Sequence, residues 1–377
     1  MTVQGTHTGA ARALPPFLGQ SELRLLLFGG KGGVGKTTCA AATALHLARS
    51  FPHRAFLLVS TDPAHSLLDS LAGSRPPANL EVLELDPGVS LDRFRREHLA
   101  CLRQIALRGT FLDEDDVERL LELSLPGLDE LMAFNDISTL AESQAYGCII
   151  VDTAPTLHTL RLLALPEALR RWIAALDAML AKHRYLAAVY SGLYRKDEAD
   201  AFLEDLSATV ERVGALLRDP ARCCFAPVVV PEALSIEETR RLLESLEDMQ
   251  VPVTDILVNR VYGEGGDCPV CLGVRRRQEA ALGRLLREFP RYCLWQVPLQ
   301  GAEVRGAHKL GAFWQGVRPL QAPPAPAGPA VAVPPRVECP PRLPDQDTVI
   351  LLFAGKGGVG KTTLASATAL RLAERYS

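Results

Sequence analysis

Residues Leu25 to Ala48 read LLLFGGKGGVGKTTCAAATALHLA, and this stretch decides the fold. Leu25 to Phe28 is an apolar run of the kind that forms a buried strand. Thr37 to Ala48 is an alanine-rich helical pattern, and a glycine-rich turn joins the two. In that turn Gly30-Lys31-Gly32-Gly33-Val34-Gly35-Lys36-Thr37, running on into Thr38, fits the phosphate-binding pattern G-x-x-x-x-G-K-[ST]. Glycines let the backbone curl so that consecutive N–H groups point at one phosphate, and the helix N-terminus adds its positive dipole. In such a loop Lys36 reaches the β- and γ-phosphates and the Thr37 hydroxyl holds Mg²⁺. The alternative is a glycine turn that merely joins strand to helix. The full motif, with a strand before it and a helix after, argues against that.

The stretch returns near the C-terminus. Ile350 to Ala373 reads ILLFAGKGGVGKTTLASATALRLA, so that Lys356, Gly357, Gly358, Gly360, Lys361, Thr362 and Thr363 repeat the loop. A repeat of this length indicates two copies of one domain in tandem. The sequence ends at Ser377, one helix into the second copy. It is therefore read as a tail over residues 1–20, a whole domain over 21–315, a linker over 316–347, and the opening strand, loop and helix of a second domain over 348–377. The linker assignment rests on composition. Gln315 to Asp347 is dense in Pro and Ala, and proline fixes φ and removes donors, which gives a semi-rigid extended spacer.

Composition narrows the classes. Hydrophobic residues at 47% and charged residues at 23% suit a globular chain with a sizeable core. A net charge of −3 gives no global basicity, so nucleic acid is not an expected partner. The N-terminus lacks the apolar core of a secretion signal, and nine scattered cysteines fit a reducing compartment better than a disulfide framework. A cytoplasmic location is expected. Cys39, Cys101 and Cys148 lie in apolar contexts and read as small core residues, as do the adjacent Cys223 and Cys224.

Along the chain, short apolar runs at Ala55–Ser60, Leu80–Leu85, Cys148–Val151, Cys224–Val230, Asp255–Asn259 and Cys293–Val297 read as strands. Amphipathic helical patterns fill roughly 91–145 and 160–217. Strands alternating with helices predict an α/β fold with a doubly wound, mostly parallel sheet of the P-loop NTPase type, carrying an inserted helical subdomain. Asp152 and Asp62 each follow a strand, at the carboxyl edge where ligands bind in such folds. Asp152 fits the acidic residue that supports Mg²⁺ through its water shell, and Asp62 fits a residue that orients or deprotonates the attacking water. For Asp62 a helix N-cap remains an equal alternative on spacing alone.

The chain resembles the ArsA/Get family of anion-transporting and tail-anchored-protein-targeting ATPases, which belong to the SIMIBI type. GGKGGVGKTT matches the loop, STDPAHSL the first switch with Asp62 at the catalytic position, and DTAPTLHTLRLLALP the second switch. VVVPEALSIEETRRL, ILVNRV and VPLQGAEVRG follow in the family's order. The resemblance covers roughly residues 21–315. It implies ATP and Mg²⁺ as cofactors and ATP hydrolysis as the activity. It implies a nucleotide-contacting Glu232, an adenine-contacting Asn259, and an adenine loop from Pro298 through Glu303 to Arg305. It also implies that Lys31, the second lysine of the "deviant" loop, reaches across to the nucleotide of a partner domain, in a homodimer or a tandem pseudo-dimer.

Two features separate the branches. The second switch carries Leu157 where the family usually has Gly, which puts its coupling in question. Cys268-Pro269-Val270-Cys271 is a C-x-x-C, and two cysteines alone cannot complete a tetrahedral zinc site. A redox pair and two unrelated thiols remain readings of the bare motif. In the targeting branch such pairs from two subunits share one Zn²⁺, so Cys268 and Cys271 are the expected intersubunit ligands. PGLDELMAF also resembles that branch, which implies a membrane-protein client. The alternatives are the catalytic subunit of an arsenite or antimonite pump, for which the corresponding stretch LSLPGLDELMAF lacks a cysteine, and a ParA/MinD-type positioning ATPase. Arg275-Arg276-Arg277 is the basic run available to the latter.

Overall fold

The computed structural model describes residues 14–61, 66–71, 73, 75–109, 128–153, 156–191, 196–263, 269–322, 343–345, 347–355 and 360–376. Eight strands form one sheet: β1 (Leu25–Gly29), β2 (Phe56–Ser60), β3 (Leu80–Glu84), β4 (Cys148–Asp152), β5 (Cys223–Val229), β6 (Asp255–Val261), β7 (Cys293–Pro298) and β8 (Arg318–Pro319). The order is β3-β2-β4-β1-β5-β6-β7-β8. β8 pairs antiparallel with β7, and the other pairings are parallel. The predicted parallel α/β fold is therefore observed, with one short antiparallel edge strand that two residues could not signal in sequence.

β1 sits centrally because both of its faces are apolar. Leu25 is in register with Ile149 of β4 on one side and Cys223 of β5 on the other. Along the strand the side chains alternate between two cores, as the period of two requires. Leu26 and Phe28 face the layer that contains helix α1 (Lys36–Ser50), whose Ala40, Ala41, Ala44, Leu45 and Ala48 are buried. Leu25 and Leu27 face a larger helical layer. It comprises α3 (Pro87–Gly109), α4 (Leu128–Glu142), α5 (Thr156–Ser191) and α6 (Glu198–Arg218). A third cluster joins β5–β7 to α7 (Ala233–Asp248) and α8 (Pro269–Glu288) through Val229, Ile256, Val258, Leu282 and Leu285. The short helices α2 (Ser66–Leu71) and α9 (Gly306–Ala312) flank α1, and α10 (Lys361–Tyr376) lies in the C-terminal repeat.

Local chemistry fixes the element ends. The α1 C-terminus is closed by Asn79, whose Nδ2 donates to the carbonyls of Ala48, Phe51 and Arg54 at 2.9, 3.2 and 2.9 Å. α6 begins with a reciprocal capping box between Asp197 and Asp200. The same Asp200 is buried and ion-paired with Arg184 of α5, which fastens α5 to α6. Cys39, Cys148, Cys223 and Cys224 are buried core residues as expected, whereas Cys101 is half-buried at the edge of the helical core. Burial pushes the Cys148 and Cys224 thiols up to about 12.

Two stretches differ from the sequence reading. Part of the presumed tail is core: Pro16–Leu18 forms a 3₁₀ turn, and Phe17 packs edge-on to Phe28 and Trp314 with ring centroids 6.1 and 5.9 Å apart. Two apolar residues in a short polar segment carry too little periodicity to be read. In the C-terminal repeat α10 forms, but residues 350–353 are not in a strand, and Ile350 and Leu352 are 74% and 85% exposed. A helix satisfies its own backbone, whereas a strand needs neighbours.

Gly29 is the tightest point of the central strand. A Cβ there would lie 2.2 Å from the ring of Phe225, which is fully buried and would have to shift. A Cβ on Gly273 of α8 would meet nothing within 4 Å. Gly29→Ala should lower unfolding stability by about 1–3 kcal/mol, the usual range for overpacking. Gly273→Ala should leave stability unchanged or raise it by up to about 1 kcal/mol. Urea unfolding midpoints of the two variants check the contrast.

Candidate active site

The loop after β1 takes the shape its glycines permit. Gly30 and Gly35 have φ of +140° and +100°, a region closed to most L side chains. Space is as restrictive as conformation. A Cβ at Gly30 would lie 2.3 Å from the Val228 carbonyl oxygen of β5, and one at Gly35 would lie 2.4 Å from Asn259 Nδ2. The loop is thus pressed onto the carboxyl ends of β5 and β6. Lys36, 6% exposed, opens α1 and donates from Nζ to the Lys31 carbonyl at 3.3 Å. Thr37 and Thr38 are half-buried on the first turn of α1.

Adjacent strands complete the edge. Asp152 ends β4 with its side chain wholly buried, and its carbonyl accepts the Thr61 N–H at 3.0 Å. Thr153 hooks β4 to β1, donating to the Phe28 carbonyl from Oγ1 at 2.7 Å and from its N–H at 3.2 Å. Thr61 Oγ1, at the end of β2, is buried without a hydrogen-bond partner among the described residues. Backbone amides, an ammonium, hydroxyls and a buried carboxylate form a donor set suited to a polyphosphate with its Mg²⁺.

The remaining predicted residues fall in several places. Asn259 is 7% exposed and donates from Nδ2 to the Val34 carbonyl at 2.7 Å, so its amide braces the loop itself. Arg260 follows with φ of +59°, held by its N–H on Asn259 Oδ1 at 2.8 Å. Glu232 stands exposed at the N-cap of α7 without a cap hydrogen bond. Pro298 closes β7. Glu303 is exposed and lies 3.9 Å from Arg305. Arg305 donates from Nε to the Asp69 carbonyl of α2 at 3.0 Å, linking the expected adenine loop to the helix that follows the first switch. An open crevice of about 700 Å³ runs beside this edge, lined by Glu232, Arg260, Tyr262, Arg277, Arg284 and Leu299.

Asp62, Cys268, Lys356, Gly357 and Gly358 lie outside the described residues, and the side chains of Leu157 and Cys271 are likewise not described. Gly360, Lys361, Thr362 and Thr363 open α10 as their counterparts open α1. Gly355 and Gly360 repeat the positive φ of Gly30 and Gly35, and Lys361 Nζ donates to the Gly355 carbonyl at 2.8 Å. Among the described residues no group of three or more His, Cys, Asp or Glu forms a metal cage. No helix of the described residues is long and apolar enough to cross a membrane.

Sequence reasoning missed Thr61, Thr153 and Glu238. Thr153 sits in the DTAP string beside Asp152 and was open to notice. Glu238 of α7 lies far from the loop in sequence, and the fold brings its carboxylate within 3.5 Å of Lys31 Nζ.

Comparison with known proteins agrees with this geometry. The family profile described as anion-transporting ATPase (ArsA_ATPase) matches residues 23–318 and again 348–377. The chain belongs to this ATPase family. As a member it is an ATPase with the α/β P-loop fold, and ATP with Mg²⁺ follows from that membership. Among its relatives, ATPase ASNA1 homolog 1 of Paramecium tetraurelia is 32% identical over 78% of this chain and 92% of that protein. ATPase get3 of Neurospora crassa is 32% identical over 80% and 92%. ATPase get3 of Schizosaccharomyces pombe is 30% identical over the same shares.

Because the Asn259 amide supports the loop from behind, Asn259→Ala should loosen it. One lost hydrogen bond of about 0.5–1.5 kcal/mol weakens Mg-ATP binding about twofold to tenfold. Titration with a fluorescent ATP analogue measures it.

Proposed function

We propose that this ATPase grips Mg-ATP in the Gly30–Thr38 loop and couples its hydrolysis to closing and opening of two like domains, so as to handle a membrane-protein client. The observation that carries the reading is the loop itself, curled and braced on β5 and β6 with Lys36 and Asp152 beside it. The N–H groups of Gly30 to Gly35 and the Lys36 ammonium hold the phosphates. Thr37 would hold the Mg²⁺ directly and Asp152 through its water shell, and the ion would supply positive charge against the phosphates. Asp62 orients the attacking water and accepts its proton. Lys31 reaches the nucleotide of the neighbouring copy, where its charge stabilises the transferred phosphoryl group. Glu232 and the loop from Pro298 to Arg305 border the base and ribose.

For the client, the support is twofold. The relatives carry Get3 and ASNA1 names, and the helical layer exposes Tyr185, Val189 and Tyr190 near the end of α5 with Val89 and Leu99 on α3. An apolar segment of a client has surface to cover there. Asp62→Asn should abolish turnover while sparing ATP binding; hydrolysis at the parent rate would remove Asp62 from the mechanism. Cys268 and Cys271 give two thiolates per chain, so a shared tetrahedral site predicts one Zn²⁺ per two chains. Metal analysis of the purified associated form should find that ratio, and Cys268→Ser should lose the metal.

A further inference from the structure

Lys31 points away from the phosphate cradle toward α7. Its Nζ is 3.5 Å from Glu238 Oε1 on the second turn of that helix, with the two side chains 28% and 34% exposed. The adjacent Glu237 is otherwise engaged, with Arg240 and Arg241 of α7 and Arg284 of α8. Neighbouring carboxylates are thus divided: one staples α7 to α8, and the other meets the loop. Lys31 is anchored through its backbone as well, because its carbonyl accepts Lys36 Nζ. The side chain is therefore the part of Lys31 that can swing, once its ion pair with Glu238 opens.

We propose that Glu238 is a positioning residue that tethers Lys31 to its own subunit and must surrender it before Lys31 reaches the neighbouring copy's nucleotide. This rests on the cross-subunit role of Lys31 proposed above. The exposure of the pair suits such a role. A fully buried ion pair would be too costly to break, because it would leave an uncompensated charge in low dielectric. A partly solvated pair shifts an equilibrium by about 1.5-fold to fivefold, enough to bias Lys31 without locking it.

The test uses the full chain with Glu238→Gln, Lys31→Ala and the double variant. Sedimentation and small-angle X-ray scattering measure self-association and compaction driven by a non-hydrolysable ATP analogue with Mg²⁺. Glu238→Gln should strengthen nucleotide-driven association about twofold to fivefold, more at about 50 mM than at about 500 mM salt. In the Lys31→Ala background the same substitution should have no effect, since the cycle isolates the pair. Unchanged or weaker association of Glu238→Gln would overturn the tether. Equal strengthening with Lys31 removed would overturn it too, assigning the effect to the general charge of α7. If Lys31→Ala associates, compacts and hydrolyses like the parent, or the parent shows neither nucleotide-driven association nor compaction, the cross-subunit role itself falls.

Discussion

The phosphate loop holds its curl because three strands other than its own close on it. Gly30 abuts a carbonyl of β5, Asn259 at the end of β6 ties the Val34 carbonyl, and Thr153 after β4 hooks the carbonyl that precedes the loop. A glycine-rich segment has the largest backbone entropy to lose of any in the chain. Packing of a parallel sheet, through residues distant in sequence, supplies the order. The site is therefore a product of the whole sheet rather than of a local motif.

That sheet divides the work between its faces. One face takes the alanine-rich α1, whose small side chains let the helix lie close beneath the loop it begins with. The other takes the leucine-rich helical layer. β4 connects the two, because it delivers Asp152 to the phosphate edge and leads within four residues into the 36-residue helix α5. That helix carries Pro166 in its interior and is fastened to α6 by the Arg184–Asp200 pair.

Much of this was legible in the sequence. Apolar runs of four to seven residues with helical periods between them fix a parallel sheet, and the loop motif fixes which end of it is chemical. What escaped has a physical pattern. β8 and the Phe17 anchor are too short to show a period, and their places are set by partners across the fold. Asn259 is recognisable as a site residue, yet that its amide faces loop backbone follows only once β6 lies next to β5. Glu238 carries no signal at all, since a glutamate on an amphipathic helix is ordinarily solvated.

The near-identity of the two loop-bearing stretches invites the thought that one might stand in for the other. They differ at Leu25/Ile350, Gly29/Ala354, Cys39/Leu364, Ala41/Ser366 and His46/Arg371. Two of those differences oppose the exchange. The methyl of Ala354 would press on the Phe225 ring, and Leu364 would put a larger side chain where Cys39 is wholly enclosed. Slots and inserts are thus keyed by a single methyl group and a single side-chain volume. The C-terminal stretch would sit more easily in a sheet whose residue opposite Ala354 is smaller than phenylalanine, which biases the folding chain against seating its own repeat in the first slot.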